Sequence, residues 1–219
     1  MDKTSEAVEW LLQNPQDMAE LPDRFHGLSL EKIKASIRKS SLLQSPRFEK
    51  FISMDDCHIS DVTKQYIKSY LEQLDKAFER GCGLYFWSNS PGSGKTTAMK
   101  IVATELLKTG RGVLFESMVN IKNQLKAEFD DPKISPLRTK LNLVDVLILD
   151  DLGSEVGSKW LDEILKDIID ERYNKMKVLM ITTNFPMDKL PFNNKIIDRL
   201  KSMLKPLHFP EKSFRQLGI

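Results

Sequence analysis

Two cysteines, Cys57 and Cys82, are all that the sequence contains, and neither belongs to a CxxC pair or to a Cys/His cluster of metal-ligand spacing. That shortage argues against a disulfide framework and against a structural zinc site. No apolar run approaches the ~18–20 residues that a helix needs to span a bilayer. The start, MDKTSEAVEW, lacks the basic start followed by an apolar run of a secretion signal. A cytoplasmic protein without membrane partners is expected. Surplus charge is also missing: 33 Lys and Arg against 31 Asp and Glu leave +2, so any nucleic-acid contact has to be a local feature. Internal repeats and low-complexity tracts are absent as well.

What is present is the composition of a packed globular chain, 41% hydrophobic and 29% charged. Its 219 residues suffice for one α/β core with a short extension, but not for two full domains. Residues 4–13 read as a short amphipathic helix with Ala7, Val8, Leu11 and Leu12 on one side, and a second helix carries Leu30, Ile33 and Ile37. From Ser60 to Arg80 the spacing of Tyr66, Ile67, Tyr70, Leu71, Leu74 and Phe78 predicts one helix, stopped by Gly81. Beyond it, apolar runs at Leu84–Ser88, Gly112–Ser117, Val144–Asp150 and Val178–Thr183 alternate with helical segments that start near Lys95, Asn120 and Ser158. Such alternation predicts a parallel sheet covered by helices.

The segment NSPGSGKT, Asn89 to Thr96, follows a predicted strand and opens a predicted helix, the context that a phosphate-binding Walker A loop requires. Gly92 and Gly94 let backbone amides approach phosphate oxygens, and Lys95 adds a positive charge. The nucleotide-binding set is therefore Ser90, Pro91, Gly92, Ser93, Gly94, Lys95, Thr96 and Thr97, with ATP as ligand. The pattern GxxxxGK[ST] wants glycine where this chain has Asn89, a mild change if the position needs a positive φ. The run VDVLILDD, ending at Asp150 and Asp151, reads as a buried strand that delivers two carboxylates to the ligand edge of the sheet, in the form of a Walker B motif. Thr96 and Asp150 are the candidate Mg²⁺ residues. Asp151 is the candidate base for the attacking water. At the end of the next strand, Asn184 could hydrogen-bond that water and the γ-phosphate.

Together, GLYFWSNSPGSGKTT, VLILDDLGSE, IIDERYNKMKVLMITTNFPMDKL and LPDRFHGLSLEKI resemble the bacterial helicase loaders of the DnaC and DnaI type, with the transposition helper IstB as a close relative. The resemblance runs from about Leu21 to the end. It implies an α/β fold of the AAA+ P-loop NTPase kind: a parallel five-stranded sheet flanked by helices, a short helical N-terminal extension and no full lid domain. The implied division is 1–50 for the extension and 51–219 for the ATPase core. It also implies a homo-oligomeric spiral with ATP between neighbours, Asn184 as sensor 1, Arg199 as the arginine finger and Arg215 as the sensor 2 arginine. A permanently charged, planar guanidinium suits the two arginine roles.

The stretch from Asn120 to Lys140 would face DNA inside such a spiral, although an ordinary exposed helix and loop is an equal reading. Loaders carry a substantial partner-binding region before the LPDRF-like segment, where this chain has about twenty residues. The helix with Val8, Trp10, Leu11 and Leu12 is expected either to serve as a minimal partner-binding element or to pack on the core. The implied function is ATP-dependent loading of a replicative DNA helicase onto single-stranded DNA. The alternatives are an IstB-like helper acting on DNA with a transposase, and a nucleotide-dependent binding module with negligible turnover. Asp151, where many AAA+ proteins have Glu, and Asn89 motivate the last of these.

Overall fold

The computed structural model describes residues 2–14, 19, 21–39, 54–57, 59–130, 137–153 and 159–213. Five strands, β1 (Gly83–Trp87), β2 (Val113–Ser117), β3 (Val146–Leu152), β4 (Val178–Thr183) and β5 (Leu204–His208), form one sheet in the order β2-β3-β4-β1-β5. All four pairings are parallel. Helices α1 (Lys3–Gln13), α2 (Glu31–Lys39), α3 (Asp61–Glu72), α4 (Leu74–Glu79) and α5 (Lys95–Lys108) cover one face. The other is covered by α6 (Met118–Asp130), α7 (Leu137–Leu143), α8 (Lys159–Asn174) and α9 (Asn194–Met203). This is the AAA+ P-loop architecture, with a short N-terminal helix in front of it.

The period-2 alternation of strand side chains assigns each residue to a layer. Val146 and Ile148 of β3, Val178 and Met180 of β4, and Leu84 and Phe86 of β1 face α1–α5. Leu147, Leu149, Leu179, Ile181 and Tyr85 face α6–α9. Both faces of β3 and β4 are buried, which is why these strands read as continuous apolar runs. At the foot of β1, a Cβ on Gly83 would lie 1.7 Å from the Leu179 carbonyl oxygen. Any larger residue there would force β1 away from β4.

Helix starts follow local capping chemistry. Asp2 accepts the Ser5 N–H at 2.9 Å, Ser60 accepts that of Thr63 at 3.2 Å, and Asn193 accepts that of Ile196 at 3.0 Å. Helix α1 buries Ala7, Val8 and Leu11 completely in the layer that also holds α5. At roughly 1.5–3 kcal/mol per buried aliphatic side chain, that packing outweighs what so short a helix gains on its own. Trp10 and Leu12 lie partly buried against the same layer.

The structure changes the sequence reading in three places. The single helix expected over Ser60–Arg80 is broken at Gln73, whose φ of −112° and ψ of 27° leave the helical region. Leu74, Ala77 and Phe78 thereby turn onto the first layer. Helix α7 was not anticipated; it buries Leu137 and Leu141. No apolar run marked β5, whose burial is confined to its first residue and, partly, Leu207.

Candidate nucleotide-binding site

From Trp87 the chain passes through Ser88–Gly94 into α5 at the carboxyl edge of the sheet, the edge at which parallel α/β sheets bind ligands. Gly92 and Gly94 hold φ at 78° and 91°, left-handed values that a Cβ disfavours. Among the described residues no side chain caps α5, and it is the first turn of a helix that presents N–H groups to an anion. Lys95, only 7% exposed, folds back over the loop and donates to the Ser90 carbonyl and to Ser93 Oγ, both at 3.1 Å. Ser90 to Thr97 thus form one continuous loop and first helical turn, as the motif requires.

At Asn89 the position does not need a positive φ. Positive φ among the described non-glycine residues occurs only at Asp151 and Met176, so Asn89 is not left-handed. Its side chain is used instead. The Asn89 N–H and Nδ2 donate to Glu211 Oε1 at 3.2 and 3.0 Å, and Ser90 Oγ donates to Glu211 Oε2 at 3.1 Å. His208, 2.9 Å from Glu211 Oε1, is the main cause holding that carboxyl below its ordinary range, and the Asn89 and Ser90 bonds add to it. Ser88 Oγ donates to the Pro210 carbonyl at 3.1 Å. The rim of the loop is therefore clipped to the segment after β5, a connection that the residue spacing gave no means of seeing.

The two carboxylates lie just before the end of β3, which runs from Val146 to Leu152 and not over the expected Val144–Asp150. Asp150 is buried at 9% exposure, and its Oδ1 accepts from Thr96 Oγ1 at 2.9 Å and from Thr182 Oγ1 at 2.5 Å. Burial raises the Asp150 carboxyl above its ordinary range, and the two hydroxyls and nearby Lys100 oppose that shift. Lys100, also 7% exposed, is pushed down by burial while Asp150 holds it up. Asp151 is exposed, with φ 60°, and its N–H donates to Thr182 Oγ1 at 2.9 Å. Asn184 Nδ2 lies 3.4 Å from Asp151 Oδ1.

The Thr96 hydroxyl and Asp150 carboxylate form a hard-oxygen pair carrying one negative charge. Among the described residues no group of three or more His, Cys, Asp or Glu could hold a metal. A site with few protein ligands, completed by phosphate and water oxygens, suits Mg²⁺.

Arg199 is not brought to the phosphate loop of its own chain. It pairs with Asp170 of α8 and lies 5.3 Å from the centroid of the Tyr173 ring. Arg215 lies outside the described residues. In the stretch from Asn120 to Lys140, Phe129 is 84% exposed, but Arg138 is paired with Asp167, and residues 131–136 lie outside the described set. No helix among the described residues is long and apolar enough to cross a membrane.

The model of the IstB-like ATP-binding protein family matches residues 86–201, more than half of the chain. The chain belongs to the IstB-like ATP-binding family. The matched span holds Asn89–Thr97, Asp150, Asp151, Asn184 and Arg199 together. This IstB-like chain is 26% identical to the YdaV protein of Escherichia coli K12, over 88% of its own length and 77% of YdaV. It is also 26% identical to the replicative helicase loader DnaC of Escherichia coli K12, over 61% of its length and 56% of DnaC. The chain thus spans little more than half of that loader. A crystal structure of the DnaC helicase loader superposes with a TM-score of 0.65 at 26% identity, covering 76% of the IstB-like chain and all of that structure.

Proposed function

We propose that this protein is an ATP-dependent helicase loader, which binds a replicative DNA helicase and assists its loading onto single-stranded DNA at replication initiation. The supporting observation is the convergence of Lys95, Thr96, Asp150, Asp151 and Asn184 at one edge of the sheet, in a chain whose relatives include a replicative helicase loader. Lys95 would bind the outer phosphates of ATP. Thr96 and Asp150 would hold Mg²⁺, which when bound offsets phosphate charge. Asp151 would take the proton of the attacking water, held in place by Asn184, and hydrolysis would serve as a timing switch. Arg199 would reach the γ-phosphate of a neighbouring subunit in a homo-oligomer, and Arg215 would contact the nucleotide. Residues 51–219 would constitute the ATPase core and 1–50 the extension, in a cytoplasmic protein.

A second reading, a transposition helper acting on DNA with a transposase, is favoured by the match to the IstB-like model. Affinity purification of the tagged chain from its native cells, in ATP and Mg²⁺, separates the two. Recovery of a replicative helicase supports the loader, whereas recovery of a transposase without helicase overturns it. In the same preparation, Lys95→Ala is expected to abolish ATP binding measured with a fluorescent nucleotide. Undiminished affinity would remove the loop from the site.

A further inference from the structure

We propose that Thr182 is the positioning residue of this site, aiming Asp151 through a bulge in β3; the assignment rests on the hydrolysis reading above. The bulge shows in the register. Leu149 pairs with Ile181 and Leu152 with Thr183, so two residues of β3, Asp150 and Asp151, oppose the single residue Thr182 of β4. It shows independently in the burial pattern. Leu147, Leu149 and Leu152 all face the α6–α9 layer, a spacing of two and then three residues. Strict alternation would drive Asp151 into that apolar layer. The extra residue expels it to the surface, where it meets Asn184 at 3.4 Å, and leaves Leu152 to fill the layer.

Here the extra residue is left-handed and is held by a neighbouring side chain. Asp151 is that residue, with φ 60°, a conformation that Asp tolerates better than most side chains. Thr182 holds it. Its hydroxyl is 1% exposed as part of the residue, donates to Asp150 Oδ1 at 2.5 Å and accepts the Asp151 N–H at 2.9 Å. One oxygen therefore fixes both carboxylates, the first by its side chain and the second by its backbone. The next residue extends the grip: Thr183 Oγ1 donates to the Leu152 carbonyl at 2.5 Å and accepts the Phe185 N–H at 3.2 Å. The two threonines that close β4 thus hold successive parts of β3, Thr182 the two acids and Thr183 the residue after them.

Thr182→Val keeps the shape and removes the hydroxyl. Steady-state hydrolysis should lose about 10- to 100-fold in kcat, the scale of a small misplacement of a reacting group, with KM for ATP within about twofold. Thr182→Ser should restore most of the loss. A merely structural role would lower thermal stability and nucleotide affinity together with kcat and would not be rescued by Ser; that pattern overturns the proposal, as does wild-type turnover in Thr182→Val. Absence of turnover in the wild-type chain, with and without single-stranded DNA, would refute the hydrolysis reading instead. Thr182 is then decided by titrating Mg²⁺ against a bound fluorescent ATP analogue. Release of Asp150 should raise the half-saturating Mg²⁺ several-fold in Thr182→Val, and an unchanged curve rejects the assignment.

Discussion

A buried acid on β2 sets a pH dependence that can be measured apart from catalysis. Glu116 is 2% exposed, its Oε2 has no hydrogen-bond partner among the described residues, and burial pushes its carboxyl up to about 7, against weaker opposition from Asn120 and Gln124. The folded chain holds this proton to about pH 7, whereas the unfolded chain releases it near its ordinary value of 4.5. Between those values the unfolded state binds fewer protons, so the contribution of Glu116 to stability is full below the window and is lost as pH rises through it. Glu116→Gln should therefore stabilise the protein by about 1–3 kcal/mol at pH 8 and by little at pH 4.5. Urea denaturation at the two pH values checks this, and parallel pH profiles for the two proteins would sink it. At this scale the sequence is legible only in part. Asp150 and Asp151 announce themselves because two acids end an apolar run. The partners that aim and clip the site, Thr182 and Glu211, carry no local signature, because their meaning lies in contacts across 31 or 32 and 121 or 122 residues.

The elements read from apolar periodicity are those with two buried faces or a strong stripe. β3, β4 and α8 belong to that group. Edge strand β5 escaped because it pairs only with β1, exposes Lys205 and Pro206, and uses a proline that an interior strand would reject. One helix residue explains how α8 is seated beneath the sheet. Arg172 is wholly buried, yet it ends in carbonyls and not in an acid: Nη1 donates to Leu141 and Val144, and Nη2 to Val144, Asp145 and Val178. Burial lowers its pKa to about 9. These carbonyls belong to α7, the turn into β3, and the start of β4, so a single guanidinium ties three elements to α8. Arg172→Met leaves them without their donor and should cost about 3 kcal/mol or more of stability. Arg172→Lys, with three donors in place of five, should recover part of that. A loss under 1 kcal/mol for the Met variant in chemical denaturation would show that the carbonyls find other partners.

For the whole molecule, the proposed homo-oligomer makes Arg199 the residue to follow. In this chain Arg199 is spent internally, its side chain only 17% exposed between Asp170 and the Tyr173 ring. On the proposed reading, reaching the phosphate of a neighbour would require giving up that pair, and assembly would have to offset its loss. Arg199→Ala should accordingly bind ATP like the wild type yet lose about 10³-fold or more of assembly-dependent hydrolysis, the scale of an arginine finger. A mixing experiment then separates action within a subunit from action across an interface. Asp151→Asn subunits keep the arginine but lack the proposed base; Arg199→Ala subunits keep that base but lack the proposed finger. Each alone should be inactive, and their mixture should regain a substantial fraction of wild-type hydrolysis, because an Asp151→Asn subunit lends its Arg199 to an intact site next door. A mixture as inactive as its components would place Arg199 with α8 alone, as a structural ion pair, and the finger would have to be sought elsewhere in the chain.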